Sequence, residues 1–588
     1  MPLTRFIDVI RRTVFPASRD FGRNSGRLRA FVRRIGHRLA RIPSPLLYAT
    51  ALTLTVASLC APAQETKLPD IGSSAGTVLG PAEQKEYGQM MLAQLRHYDY
   101  ILEDPLVDEW LRTLGTRLGS ASDNPKQDFT FFMMKDRQIN AFATLGGYVG
   151  VNAGLVLAAD TEDEVAGVLG HEIAHVTQQH VLRSVERAKR DSIPILLAML
   201  GAIAISQSGG NSSGDAAMAA MASAQGIAAQ RQINYTRSNE SEADRLGIQT
   251  LARSGYDPRA MAQMFETMQA LSRVNRGGEK ERTPDYLMTH PVTTLRIAEA
   301  KERAERILQK QRNVRAITAT PEATRVEQVP VPEGPISSAP ASSNPLLPSA
   351  LNLSVDGLYR NDETQYGWVR ERLRVLSADR PSAAVQEYER MARNGKLSDA
   401  QRYGLALARL LSGSSAAAMT DLSALLTEYP GDLWLSLAMG QAEARAGKQD
   451  ATDTRFKGLL SRMPGNRAVA LTYAGVLGER NTKAAGQQAQ AILRPLLSSA
   501  SDDPLFQTTF ARANEIAGDP IRAGEAYAEA AYLNGRAEQA LVQLNNLKRR
   551  DDLDYYARAR IDARIAAITP TVLELRRQGM RDQDVRPQ

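Results

Sequence analysis

Residues 170–180 read Gly-His-Glu-Ile-Ala-His-Val-Thr-Gln-Gln-His, three histidines within ten positions of a chain that has six in 588 residues. His171, Glu172 and His175 make the pattern HExxH. On an α-helix four residues turn about 400°, so His171 and His175 share one face about 40° apart. Two imidazoles placed this way can share one zinc ion, and the glutamate between them can reach a water at the metal. On an unbroken helix His180 would stand about 900° from His171, on the opposite face. It is therefore expected to be a structural or surface residue.

The surroundings predict the elements that carry this site. Thr161 and Glu164 have capping-box spacing, so a helix is expected from about Glu162 to Lys189. Before it, DFTFFMMK (128–135) reads as a strand. INAFATLGGYVGV (139–151) reads as two short strands about a Gly146-Gly147 turn. Two helical patterns precede these, the second starting near Asp104-Pro105. Gly170 would let another element pack closely against the histidine helix.

Two imidazoles leave a metal short of ligands. The helical stretch NESEADRLG (239–247) offers three acids. Glu240 and Asp244 are four apart and share a face, whereas Glu242 points about 200° away from Glu240. One carboxylate would bind the ion while another orients a ligand imidazole. A solvated acidic face is the competing reading. His290, in Thr289-His290-Pro291, is expected at the start of a helix running to about Gln311, with proline in the first turn. It would stabilise an oxyanion, fill a fourth ligand position and hold the site latent, or merely cap the helix. Arg296 would pair with an acid of the site or be solvated.

Outward from the site, the chain divides by composition. Residues 1–63 hold 11 arginines, no lysine and two aspartates, leaving 61 basic and 63 acidic side chains elsewhere. The net charge of +7 is thus local to the N-terminus and gives no reason to expect nucleic acid. LLYATALTLTVASL (46–59) followed by Ala61-Pro62-Ala63 has the form of a signal peptide with a long basic leader. Cleavage is expected after Ala63, with an uncleaved anchor as the alternative. Cleavage would remove Cys60, the single cysteine, so no disulfide is expected. A domain carrying HExxH is assigned to 64–312 and a Pro/Ser-rich linker to 313–350. Within the former, residues 193–229 pair an apolar run with a small-residue run across SQSGGNSSGD. This hairpin would be two core helices or a peripheral contact with a membrane.

Residues 351–588 change to an all-helical pattern. Pro430 and Pro464 are 34 apart, as are Gly413 and Gly447, and Asn481 continues the second series. AGDPIRAGEAYAEAAYLNGR (517–536) reads as one helix-turn-helix unit. A helix-pair period of 34 resembles tetratricopeptide repeats, arrays that bind peptides or proteins on a concave face.

HEIAH, then an ExxxD helix from Glu240, preceded by NAFATLGGYVGVNAGL and followed by THPVTTLRI, resembles the HtpX and CAAX-prenyl-endopeptidase type of gluzincin metallopeptidases. The resemblance covers roughly residues 80–310. The order signal peptide, peptidase, repeat tail is similar to the periplasmic family of proteases that enhance β-barrel assembly. It implies an α+β gluzincin domain, mostly helical with a small sheet, followed by an all-α solenoid. It implies one Zn²⁺ held by His171, His175 and Glu240, Glu172 as catalytic base, and Asp244 behind a ligand. His290 would act near the reaction, and Asn140 and Gly147 would flank a groove where substrate adds as a strand. The expected function is endopeptidase action on unfolded or misassembled proteins in the bacterial periplasm, peripheral to the outer membrane. Partners would come from the outer-membrane assembly machinery, and chaperone activity could accompany hydrolysis. The competing readings are a peptide-binding chaperone or scaffold with a latent or structural zinc site, and an amidase of cell-wall peptides. An intact Glu172 argues against the first, and the edge-strand and ExxxD motifs argue against the second.

Overall fold

The computed structural model describes residues 79–184, 186–187, 235–275, 285–318 and 363–577. All of them belong to the unit Gly72–Gln588. The expected signal peptide and the 193–229 hairpin lie outside the described residues.

Two helices with proline in their first turn open the described chain, α1 (Pro81–His97) and α2 (Pro105–Ser120). Asp104 caps α2 by accepting from the backbone N–H of Leu106 and Val107. Along α2, Val107, Trp110, Leu111, Leu114 and Leu118 recur at spacings of three and four and bury one face. A three-stranded sheet follows, from β1 (Thr130–Met134), β2 (Ala141–Ala143) and β3 (Tyr148–Asn152). Its order is β1-β3-β2, with β1 parallel and β2 antiparallel to β3. The central strand β3 is buried throughout, whereas β2 is an edge within this sheet. Gly146 and Gly147 turn the chain between β2 and β3 at φ of 76° and 82°, which L side chains rarely adopt.

The helix α3 (Ala153–Ala158) leads to α4 (Glu162–Thr177), which carries HExxH. Thr161 caps α4 through the N–H of Glu164, and the Glu164 carboxylate reaches the N–H of Asp160 at 2.7 Å. Every residue of α4 from Glu164 to His175 is buried, so this helix runs through the core. It ends at Thr177, well short of the expected Lys189. Gln178 closes it and Gln179 takes the left-handed conformation at φ 54°. Helix resumes at residue 180, after this turn.

The acidic helix α5 (residues 235–253) crosses α4, and α6 (Ala260–Asn275) packs beside both. A short α7 (Asp285–Thr289) precedes α8 (Thr294–Thr318). This corrects the sequence expectation for His290. The residue closes α7, its N–H donating to Tyr286 O at 2.7 Å, and Pro291 lies in the link. Thr293 caps α8 through the N–H of Arg296. The helix then continues to Thr318, into the expected linker.

From Glu363 onward the chain is helical pairs. The helices Asp399–Leu411, Leu433–Arg445 and Arg467–Arg480 begin 34 residues apart, each capped by the preceding residue, Ser398, Asp432 or Asn466. Gly413, Gly447 and Asn481 all sit at positive φ at the ends of these helices, which is why the sequence shows small or amide residues there. The stretch 517–536 is one helix, Pro520–Leu533, between left-handed Gly518 and Gly535, not a helix-turn-helix.

This all-α region is fastened to the α+β domain at separated points. Arg372 forks onto Asp104 at 2.7 and 2.6 Å, and both residues are buried. Tyr366 donates to the carbonyls of Val156 and Ala159. Much later in the sequence, Gly535 lies so close to α1 that a Cβ there would stand 2.3 Å from Ala93 O. Among the described residues, no helix is long and apolar enough to cross a membrane.

Candidate metal centre

Glycine sets the distance between the two helices that build the site. A Cβ on Gly170 would lie 3.2 Å from Gly247 O, and one on Gly247 would lie 2.9 Å from His171 N. The two backbones therefore touch, and α5 brings Glu240 and Asp244 against the histidines of α4.

His171, His175, Glu240 and His290 each offer one ligand atom, all within 4.8 Å of one another. His171 Nε2 is 3.0 Å from His175 Nε2 and 3.4 Å from His290 Nδ1. Glu240 Oε2 is 3.4 Å from His171 Nε2, while Glu240 Oε1 is 3.5 Å from His175 Nε2 and 2.9 Å from His290 Nδ1. In a tetrahedron with bonds of about 2.05 Å, neighbouring ligand atoms are about 3.3 Å apart. Spacings of 2.9–3.5 Å, taken over the two Glu240 oxygens, are of the size that ligands of a single zinc ion need. Charge points the same way. Burial pulls the His171 pKa down, but hydrogen bonds to Asp244 and Glu240 outweigh it and push the imidazole up to about 9. The two carboxylates create a place for positive charge.

The supporting groups are buried too. Asp244 Oδ1 is 2.9 Å from His171 Nδ1, leaving Nε2 to face the cluster. Arg296 grips Asp244 with Nε and Nη2, each at 2.8 Å, and reaches Glu240 Oε2 with Nη1 at 2.9 Å. Burial opposes the Asp244 charge, but Arg296 and His171 hold its carboxyl below the usual carboxylate range. Of the sequence alternatives for Arg296, pairing with the acids of the site is the one realised.

Glu172 is 1% exposed, and its Oε1 has no hydrogen-bond partner among the described residues. Burial raises its pKa, the expected condition of a carboxylate that must take up a proton. His290 Nε2 stands 3.7 Å from Glu172 Oε1, so His290 lies between Glu172 and the other residues of the cluster. Asn140 is buried just before β2, and its carbonyl accepts from Asn152 N. Gly147 lies in the turn between β2 and β3. A Cβ there would stand 2.1 Å from Asp128 O, so its glycine answers to packing at the turn.

Two contacts at the site are not foreseen from the sequence. His180 is 3% exposed and touches His175, because the chain turns at Gln179. The run of three histidines is the signal, but neither glycine nor proline marks the turn. Tyr286 is fully buried and stacks on His290 with ring centroids 4.9 Å apart. Its spacing of four from His290 is the only hint.

Comparison with known proteins agrees with this geometry. Residues 105–304 match peptidase family M48. A β-barrel assembly-enhancing protease of Yersinia pestis is 30% identical over 504 residues, covering 86% of this chain and 92% of the relative. That of Escherichia coli K12 is 29% identical over 530 residues, 88% and 95% of the two chains. A putative β-barrel assembly-enhancing protease of Vibrio cholerae is 41% identical over 259 residues, 43% of this chain and about half (52%) of that protein. With the HExxH helix, the ExxxD helix and a four-ligand cluster assembled on one fold, the chain belongs to peptidase family M48, a family of zinc-dependent metalloendopeptidases, and is related to the β-barrel assembly-enhancing proteases.

Proposed function

We propose that the protein is a zinc-dependent endopeptidase of the bacterial periplasm that degrades unfolded or misassembled proteins, serving the quality control and assembly of outer-membrane proteins. The observation that carries the hydrolytic reading is the buried Glu172 carboxylate beside a His/Glu cluster with the spacing of metal ligands. The client class rests on the relatives' names and on their near end-to-end match. A chain destined for the outer membrane would be met unfolded, with extended segments available to the site.

His171, His175 and Glu240 would hold the ion. When bound, zinc acidifies water toward neutral pH and polarises a peptide carbonyl. Glu172 takes the proton from the attacking water and returns it to the departing amine. An extended substrate would add to β2, an edge of the sheet among the described residues, where backbone groups can grip any sequence. Asn140, just before that strand, would hold the substrate backbone. The helical repeats supply a protein-binding surface that selects clients.

His290 belongs to the same four-residue cluster, which supports a closed resting form in which it would fill a fourth ligand position. Its withdrawal would open that position and leave the imidazole near the scissile carbonyl.

The test is metal analysis with hydrolysis of an unfolded protein. Wild type is expected to carry one zinc per chain, Glu240→Ala to lose it, and Glu172→Gln to keep it while losing about 10²–10⁴-fold in rate. His290→Ala is expected to exceed wild type if the resting site is closed; equal or lower activity counts against that closure. Absence of zinc from folded wild type would defeat the proposal.

A further inference from the structure

His180 lies outside the ligand set, yet it is as buried as the ligands. Its Nδ1 is 2.9 Å from His175 Nδ1, with the two rings nearly edge to face at 77°. Its other nitrogen, Nε2, is 3.1 Å from Glu242 Oε2. Arg183 Nη1 approaches the same carboxylate oxygen at 3.6 Å. Glu242 is the acid of the α5 helix that points away from the metal cluster, and this contact is where it points.

We propose that His180, backed by Glu242, is a positioning residue for the zinc ligand His175. This rests on the zinc reading above. With His180 in a neutral tautomer, hydrogen-bond bookkeeping gives the chain one direction. Glu242 is an acceptor when ionised, so His180 Nε2 carries the hydrogen it receives. Neutral His180 then presents a bare Nδ1, which can only accept. His175 must therefore carry its hydrogen on Nδ1 and donate it to His180. That leaves the lone pair of His175 on Nε2, the nitrogen facing His171 and Glu240. One tautomer is selected, and the ring is held at both ends.

The two imidazole ligands are thus supported differently. His171 meets the carboxylate of Asp244 directly, and His175 reaches a carboxylate only through a second imidazole. A ligating histidine usually gives its spare hydrogen to a carboxylate, a backbone carbonyl or water. The intervening ring transmits part of the Glu242 charge while keeping that charge farther from the ion. The left-handed Gln179 makes the arrangement possible, since a continuous helix would carry His180 to the far face.

The experiment measures zinc affinity of the full chain by competition with a chromophoric chelator, alongside circular dichroism and thermal melting. His180→Asn keeps an acceptor near the position of Nδ1. His180→Leu keeps volume but no acceptor. Positioning predicts a loss of about 10–100-fold in zinc affinity in His180→Leu, substantial rescue in His180→Asn, and a smaller loss in Glu242→Gln. A role confined to core packing predicts the reverse order, with leucine tolerated at least as well as asparagine. Wild-type affinity in His180→Leu, or no difference between the leucine and asparagine variants, would overturn the relay while leaving the zinc reading intact. If His180→Leu fails to fold, the comparison of Glu242→Gln with wild type decides, His180→Asn serving as the folded control, and unchanged zinc affinity in Glu242→Gln refutes it. Wild type that binds no zinc would remove the underlying reading and the relay together.

Discussion

Gly247→Ala tests whether the backbone contact between α4 and α5 sets the ligand geometry. The new Cβ would stand 2.9 Å from His171 N and 3.0 Å from the carbonyl carbon of Gly170, against 3.4–4 Å for an ordinary contact. Both neighbours are main chain of the HExxH helix and cannot rotate away. The Met261 side chain, at 2.7 Å, can. The helices must therefore separate by roughly 0.5 Å, at a cost of about 1–3 kcal/mol for overpacking. Glu240 and Asp244 ride on α5 and would move with it. A misplacement of about 1 Å can cost about 10²-fold in rate, so half of that predicts about tenfold. Gly170→Ala is the internal control. Its Cβ meets Gly247 O at 3.2 Å, which asks for only a few tenths of an ångström. Denaturant melts, zinc content and hydrolysis of an unfolded protein would be measured for both. The expected order is wild type, Gly170→Ala, then Gly247→Ala in all three. Wild-type zinc content, rate and stability in Gly247→Ala would refute the claim that this contact positions the ligands.

Asp104→Ala leaves the buried Arg372 without its counter-charge, so a stability loss of about 3–5 kcal/mol is expected in denaturant melts. Because the pair joins the α+β domain to the helix Glu363–Leu376 of the all-α region, limited proteolysis should also separate the two more readily. Arg296→Lys cannot grip Asp244 with a fork and reach Glu240 as well. Loss of a charge-assisted hydrogen bond should cost about 1.5–3 kcal/mol and lower the zinc content, read by melting and elemental analysis. Chelation of zinc from wild type should lower the melting temperature, because the ion binds only the folded cluster. Glu240→Ala should melt at the same temperature with and without chelator.

The periodic and local features of this protein are legible in its residues alone. HExxH on a helix sets the facing of His171 and His175, because 3.6 residues per turn leaves no alternative. The repeat is legible as chemistry, with capping residues and left-handed turn residues both recurring at 34. Gly146-Gly147 announces the hairpin turn, and Asp104-Pro105 announces α2. Each of these signals is local, since a cap, a turn or a helix face is specified within a few residues.

Long-range apposition settles the rest, and no local signal encodes it. Glu240 and Glu242 are equivalent as residue types, and the crossing of α5 over α4 sends one to the ligand set and the other to His180. His290 joins the cluster from 119 residues beyond His171, at the end of a short helix rather than the start of a long one. Extrapolating one unbroken helix puts His180 on the far face. A single left-handed Gln179 redirects it onto His175, a conformation with no glycine or proline to mark it in the sequence.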